Sequence, residues 1–244
     1  MNNIPDTSIT LIIPVLNEEK CLTTLIESIK RQTQAPEQII VVDSKSTDGT
    51  KSVCESQSHI ITYIVSQRCG IAHQRNYGAH SADSSILCFV DADVILPSDF
   101  ISRIKRYYAR SEHIHSHALF PIYLPISNHI FLLVLFFIQN VYCYIVQWFK
   151  PVWSGSTMII PRLLFAQTSG FNSAVQFEDV EFAHRLSKTA DIRMIPLVTR
   201  FSTRRFKEDG IIRITSLYLI TSLLSLFGIH MPAHSVNYTF GEHS

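Results

Sequence analysis

Charge is scarce in this sequence. Of 244 residues only 17% are Asp, Glu, Lys or Arg, against about a quarter in an ordinary soluble domain. The formal net charge is +1, so there is no basic field to hold a nucleic acid, and that partner class is excluded. Cysteine supplies no framework either. Cys21, Cys54, Cys69, Cys88 and Cys143 are odd in number, scattered and without a CxxC. That speaks against a disulfide scaffold or a zinc knuckle and for free thiols in a reducing cytoplasm. The first apolar stretch, Ile9 to Leu16, is short, is broken by Pro14 and follows no basic segment, so no signal peptide is expected. There is no internal repeat and no low-complexity tract. Apolar residues are plentiful instead, at 46% with a mean hydropathy of +0.16. Disorder is therefore excluded, and the length fits one large α/β domain.

Apolar runs alternate with helical patterns from the start. Ile9 to Ile13, Ile39 to Val42, Ile60 to Val65 and Ile86 to Val90 read as strands, the continuous ones buried on both faces. Between them Leu22, Leu25, Ile26 and Ile29 recur at helical spacing, with Asn17 placed to cap that helix. A short helix to about Gln57 and a helix over 70–82 follow. Such alternation predicts a parallel sheet with helices on both faces, whose ligands bind beyond the carboxyl ends of the strands. Asp43 and Asp91 stand at those ends. Further on, the pattern predicts strands at 118–123, 157–161 and 192–195 and a helix over 178–188.

Three polar segments carry chemistry. Asp91-Ala92-Asp93 places two carboxylates one residue apart at a strand end, a pattern able to hold a hard divalent cation whose shell a phosphate completes. Asp43 opens the loop Asp43-Ser44-Lys45-Ser46-Thr47-Asp48-Gly49-Thr50 and offers acceptors for ring N–H or ribose hydroxyl groups. Arg75 and Asn76 lie on a helix leading back to the sheet, where a guanidinium can pair with phosphate oxygens. His113, His115 and His117 alternate and could bind a metal from one strand face, although a solvated loop or edge strand explains them as well.

Ile13 to Glu19, Val41 to Ser44 with Ser46 to Thr50, Arg75-Asn76, Asp91-Ala92-Asp93, Gly170-Phe171, Glu178-Asp179, Glu181 and Arg185-Leu186 occur in that order. The series resembles the family 2 glycosyltransferases. The resemblance implies the GT-A fold: a Rossmann-like α/β domain with a mostly parallel central sheet and flanking helices. It implies an inverting enzyme taking a sugar from a nucleotide-diphosphate donor (UDP-, GDP- or dTDP-linked) with Mg²⁺ or Mn²⁺. In that reading Asp43 contacts the base, with Pro14, Leu16, Glu18 and Ser44 in the same pocket. Arg75 lies near the nucleotide or diphosphate, Asp91 and Asp93 hold the metal, and Asp179 is the general base. Glu178 lies on the substrate side, and both it and Glu181 compete with Asp179 for the base role.

The chain departs from the family where Asn172 follows Gly170-Phe171 and where Ser154-Gly155 replaces two glycines. It also lacks the QxxRW motif of processive members, which favours transfer of single sugars. Ser202-Thr203-Arg204-Arg205-Phe206 stands in a comparable place, with Arg204 and Arg205 as diphosphate contacts. A Gly-rich, Arg-containing loop after the first strand is absent, which argues against a sugar nucleotidyltransferase.

Two greasy segments remain. The run over 130–149 is long enough to cross a bilayer, yet it lies between Asp93 and Asp179, and a lone span would part the metal site from the base. It is expected to be an inserted interfacial, core or dimer-forming helix. Ile211 to Ile229 reads as an amphipathic helix on a membrane or one docked on the core. The expected organisation is a glycosyltransferase domain over 1–205 and a membrane-associating helix and tail over 206–244. The acceptor is expected to be lipid-linked or an envelope glycan, at the inner face of the cytoplasmic membrane, with a homodimer as a further possibility. The rival from another class is a catalytically silent, membrane-associated binding or assembly module of the same fold.

Overall fold

The computed structural model describes residues 5–149, 155–226 and 228–233. Strands β1 (Ile9–Val15), β2 (Gln38–Asp43), β3 (Thr62–Val65) and β4 (Ile86–Val90) alternate with helices α1 (Glu19–Lys30), α2 (Thr50–Ser56) and α3 (Ile71–His80). Next come β5 (Val94–Ile95), α4 (Phe100–Tyr108), α5 (Ser111–Ile114), β6 (His117–Ile126) and α6 (Ile130–Val146). They are followed by β7 (Thr157–Pro161), α7 (Arg162–Ala166), α8 (Glu178–Leu186), β8 (Asp191–Ser202), α9 (Arg204–Glu208) and α10 (Ile211–Leu226).

The strands form one sheet in the order β3-β2-β1-β4-β7-β6-β8-β5. β3, β2, β1 and β4 run parallel, as do β6 and β8, while β7 is antiparallel to both neighbours and β5 to β8. Alternation along β1 divides the core in two. Ile9, Leu11, Ile13 and Val15 pack with α1 and α4, whereas Ile12 joins Val42 and Phe89 beneath α3, α6 and α8. The α/β expectation is met, with helices on both faces of a mostly parallel sheet. Phe206 and Ile214, beyond the last strand, are buried in the second of these cores.

The start of α1 differs from the expectation. Asn17 does not cap it: its φ is +54°, and its side-chain oxygen accepts from the Thr47 N–H at 2.8 Å. The helix N–H groups are met from another loop, Glu19 by Asp48 (3.1 Å) and Glu18 by Thr50 Oγ1 (3.0 Å). The β1–α1 and β2–α2 loops are thereby laced together at the carboxyl edge of the sheet. The three histidines hold no metal geometry. His113 and His117 stack at 4.6 Å between ring centres, and Tyr107 meets His117 Nδ1 at 2.6 Å.

Helix α3 lies unusually close to the sheet. A Cβ on Gly78 would stand 2.4 Å from Ile12 Cγ2 and 3.0 Å from a Val42 methyl. Alanine is favoured over glycine in a helix by about 1 kcal/mol, but overpacking a filled core costs about 1–3 kcal/mol. Ile12 is wholly buried and has nowhere to move. Gly78→Ala is therefore expected to lose about 1–2 kcal/mol of stability, read as a lower urea midpoint at unchanged slope.

Candidate active site

Three consecutive residues of α3 organise the carboxyl edge of the sheet. Successive helical side chains diverge by about 100°, so each reaches a different part. Gln74, fully buried, donates to the carbonyls of Val15 (2.8 Å) and Val42 (2.7 Å) and holds the ends of β1 and β2 together. Arg75 donates to Asp91 Oδ1 (2.9 Å) at the end of β4 and to Glu178 Oε1 (2.5 Å) at the start of α8. Its guanidinium also lies over the Phe171 ring at 5.4 Å. Asn76 brackets the Phe171 backbone, accepting from its N–H and donating to its carbonyl. Gly170 permits this approach, because its φ is +72° and a Cβ there would meet Asn76 Oδ1 at 2.5 Å.

Beside this framework runs a cleft of about 580 Å³, within the ordinary range for a small-molecule site. Leu16, Arg75, Asp91, Asp93, Glu178 and Asp179 all line it. α6, β8, α9 and α10 also wall it, with the apolar Leu135, Phe136, Phe201, Phe206 and Leu219 and the polar Gln139, Ser202, Thr215 and Thr221. The segment before β7 ties the polar end together: Ser156 O accepts from the Asp91 N–H (2.8 Å), and Gly155 N–H donates to Asp179 Oδ2 (2.9 Å). Ser154, the other half of that pair, lies outside the described residues.

Pro14 on β1, Glu18 just before α1, Asp43 at the end of β2, Ser44 after it and Arg204 on α9 are not part of the cleft wall. Asp43 is buried. Its Oδ1 accepts from Ser46 N–H (3.0 Å) and hydroxyl (2.6 Å), and its Oδ2 from the Tyr63 hydroxyl (2.5 Å). Ser44 is also buried, with no hydrogen bond to its hydroxyl oxygen. Arg204 is turned to Glu18, its Nη2 donating to Oε1 at 2.7 Å. The Arg205 side chain lies outside the described residues. Glu181 accepts two bonds from Arg185 and does not line the cleft. Gln74 and Tyr63 went unnoticed in the sequence. A glutamine on an otherwise buried helix face was the available signal for the first; nothing local marked the second.

Among the described lining residues Arg75 is the single Arg or Lys facing Asp91, Asp93, Glu178 and Asp179. Burial pushes Glu178 up to about 7, with the Arg75 charge pulling the other way and Asp179 adding to the rise. Asp179 is raised for the same first reason, against the Arg75 charge and the Gly155 N–H. The described residues contain no group of three His, Cys, Asp or Glu able to hold a metal alone. Two carboxylates on one strand end suit instead a hard ion whose remaining ligands come from a bound phosphate and water.

The fold is GT-A, the α/β fold of solved glycosyltransferases. A mannosyltransferase from Pyrobaculum calidifontis, solved with GDP-Man and Mn²⁺, superposes with a TM-score of 0.70 at 22% identity, over 93% of this chain and 67% of that one. TarS residues 1–349 of S. aureus, solved with UDP-GlcNAc, gives 0.63 at 19% identity, over 81% and 59%. The model of glycosyl transferase family 2 matches residues 10–148. The chain belongs to that family. In sequence it is 33% identical over 104 residues to glycosyltransferase GlyA of Streptococcus pneumoniae (41% of this chain, 15% of GlyA). It is 32% identical over 119 residues to the undecaprenyl-phosphate 4-deoxy-4-formamido-L-arabinose transferase of Pectobacterium carotovorum (42% of this chain, 34% of that enzyme). The match thus spans about a third or less of either relative.

Arg75→Met strands Asp91 and Glu178 without their shared cation, which is expected to cost about 3–5 kcal/mol of folding stability at neutral pH. The raised carboxyls predict a pH slope as well. The folded chain keeps on Glu178 a proton that the unfolded chain releases near 4.5. The folded state then binds more protons, so stability falls as pH rises from about 4.5 to 7. Urea titrations across that range are expected to show a shallower fall for Glu178→Gln, whose side chain takes up no proton in either state.

Proposed function

We propose that this chain transfers single sugars, with inversion, from a nucleoside diphosphate sugar to a hydroxyl of a lipid-linked or envelope glycan acceptor, as a peripheral protein at the inner face of the cytoplasmic membrane. The observation that carries the reading is the joint placement of Asp91, Asp93, Arg75 and Asp179 on one cleft. The donor class is supported by the GDP-Man and UDP-GlcNAc held by the solved neighbours. The acceptor class is supported by the undecaprenyl-phosphate named for the Pectobacterium relative. It is also supported by the apolar groups in the cleft wall. No helix among the described residues is long and apolar enough to cross a membrane.

Each residue then has a task. Asp91 and Asp93 would hold Mg²⁺ or Mn²⁺ against the diphosphate, where such an ion would supply positive charge to offset that gathering on the departing nucleotide. Arg75 fixes Asp91 from behind. Asp43 with Tyr63, and Pro14, Leu16, Glu18 and Ser44, shape the base pocket; Asp43 Oδ2 retains an acceptor site beyond its Tyr63 bond, while Oδ1 is taken up by Ser46. Arg204 closes the pocket by way of Glu18, with Arg205 beside it on α9. Asp179 accepts the proton of the acceptor hydroxyl as that oxygen attacks C1, the C1–O bond to the diphosphate breaks, and the anomeric centre inverts in one displacement. Glu178 is committed to Arg75 and Glu181 to Arg185, which leaves the base role to Asp179.

Calorimetric titration of UDP, GDP, dTDP and CDP with and without Mn²⁺ tests the donor site. One nucleotide is expected to bind in a metal-dependent way, and Asp93→Ala to weaken it tenfold or more. Asp179→Asn is expected to keep that binding and to lose about 10²–10⁴ in turnover, measured as release of nucleoside diphosphate. Absence of nucleotide binding by the folded protein overturns the reading in favour of a silent module.

A further inference from the structure

Helix α6 is apolar on both sides, with Leu132, Phe136 and Cys143 buried in the core. Its polar side chains face the protein: Asn140 pairs with both the N–H (3.0 Å) and the carbonyl (2.8 Å) of Tyr123, and Gln147 accepts from the Met194 N–H at 2.8 Å. Its outward face is apolar, with Ile130 71% and Phe137 68% exposed and Val134, Val141 and Tyr144 beside them. Helix α10 also turns apolar groups outward, although Ile214 is buried in the core and Arg213 is exposed. Thr221 is buried and Thr215 and Tyr218 line the cleft, while Ile212, Ile220 and Leu223 stand exposed. A helix on an aqueous surface shows the opposite arrangement. Both helices line the cleft, and each turns exposed apolar groups outward in greater number than the scattered ones of an ordinary surface.

The cleft connects that face to the carboxylates. Leu219 both lines the cleft and is 55% exposed, so the cleft reaches the outer apolar surface at α10. From there Leu135, Phe136, Phe206 and Tyr218 continue the wall inward toward Asp179. Gln139, Ser202, Thr215 and Thr221 line the cleft among these apolar groups, so the stretch offers an apolar tail a surface with polar groups only at intervals.

We infer that the stretch between α6 and α10 is a slot for the apolar tail of the acceptor, which enters the cleft sideways from the lipid surface and brings its hydroxyl to Asp179. The inference rests on the lipid-linked reading of the acceptor and specifies it: the tail is held by the protein during transfer and does not stay in the bilayer. Acceptor choice then depends on the tail as well as on the sugar. Leu135 and Leu219 are specificity-determining positions, where bulk limits the tail that fits.

The test needs no membrane. A series from hexyl to dodecyl β-glucoside, each below its micelle concentration, is titrated into the full chain by calorimetry. Affinity is expected to rise with length, by up to about fourfold for each methylene that enters the slot. Leu135→Trp and Leu219→Trp, both at partly exposed positions, are expected to weaken the longest probe tenfold or more and to flatten the length dependence. Phe137→Gln, on the outer face, is expected to leave it unchanged. Affinity that does not depend on length overturns the inference. So does a length dependence that survives both tryptophan variants but is lost in Phe137→Gln, which places the tail on the outer face. Probes that fail to bind while sedimentation shows self-association overturn it in favour of a second copy covering the helices. Nucleotide binding, followed in parallel, is expected in all variants. Its absence from the unaltered chain counts against the donor site and leaves the tail measurement standing.

Discussion

The site depends on one buried guanidinium. Arg75 is withdrawn from water, and such a charge survives only because two carboxylates and an aromatic face meet it at once. Those partners come from distant parts of the sheet: Asp91 ends β4 in the parallel half, and Glu178 opens α8 after the antiparallel strand β7. Arg75 therefore fixes how far the strand-end carboxylates lie from the start of α8. Gln74 and Asn76 complete the arrangement, one holding the ends of β1 and β2 and the other the turn at Gly170. A helix of ten residues thus sets the relative position of every element that contributes a carboxylate to the cleft.

What the sequence revealed follows from how each element is buried. β4 and β7, hidden on both faces, match their apolar runs residue for residue. β3 begins at Thr62, later than its apolar run, because Ile60 and Ile61 are drawn into the turn after α2 by bonds to Gln57. β8 is three times longer than its continuous run. Pro196 interrupts that run, yet Ile195, Leu197 and Thr199 keep the inward alternation of a half-buried strand, which was there to be read. The spacing of Phe100, Ile101, Ile104 and Tyr108 likewise marks α4, which was passed over. The carboxylate-rich ends of the strands were legible because residue type and strand end coincide. The role of Asn17 was not, since the groups that meet the N–H groups of α1 come from Asp48 and Thr50 across a loop. Nor was the Arg204–Glu18 pair, which no local rule connects.

The shortage of charge noted in the composition has an address. α6 contains no charged residue, and Asn140 on α6 and Thr215 and Thr221 on α10 are turned toward the sheet or the cleft, while Arg213 and Ser216 of α10 are exposed. Hydrophobic periodicity locates such a helix but leaves its orientation open, because the same stripe fits burial against a core or against something outside the chain. The side that made contact was decided by the sheet: the backbone of β6 beside Tyr123 and of β8 at Met194 needed partners, and Asn140 and Gln147 supplied them.

Glu18 and Arg204 are 186 residues apart in the chain. During synthesis at roughly 5–20 residues per second, the β1–α1 loop exists for about ten to forty seconds before its arginine has been made. β1 to β4 and their helices can assemble in that interval, since their contacts are local and parallel. The rim of the base pocket cannot, because its last ion pair awaits the far end of the sheet. A nascent chain stopped before residue 204 would carry a formed Asp91-Ala92-Asp93 strand end and an open pocket edge. The order of translation therefore makes closure of the rim a late step, followed by the part of the cleft wall contributed by Phe206 and α10.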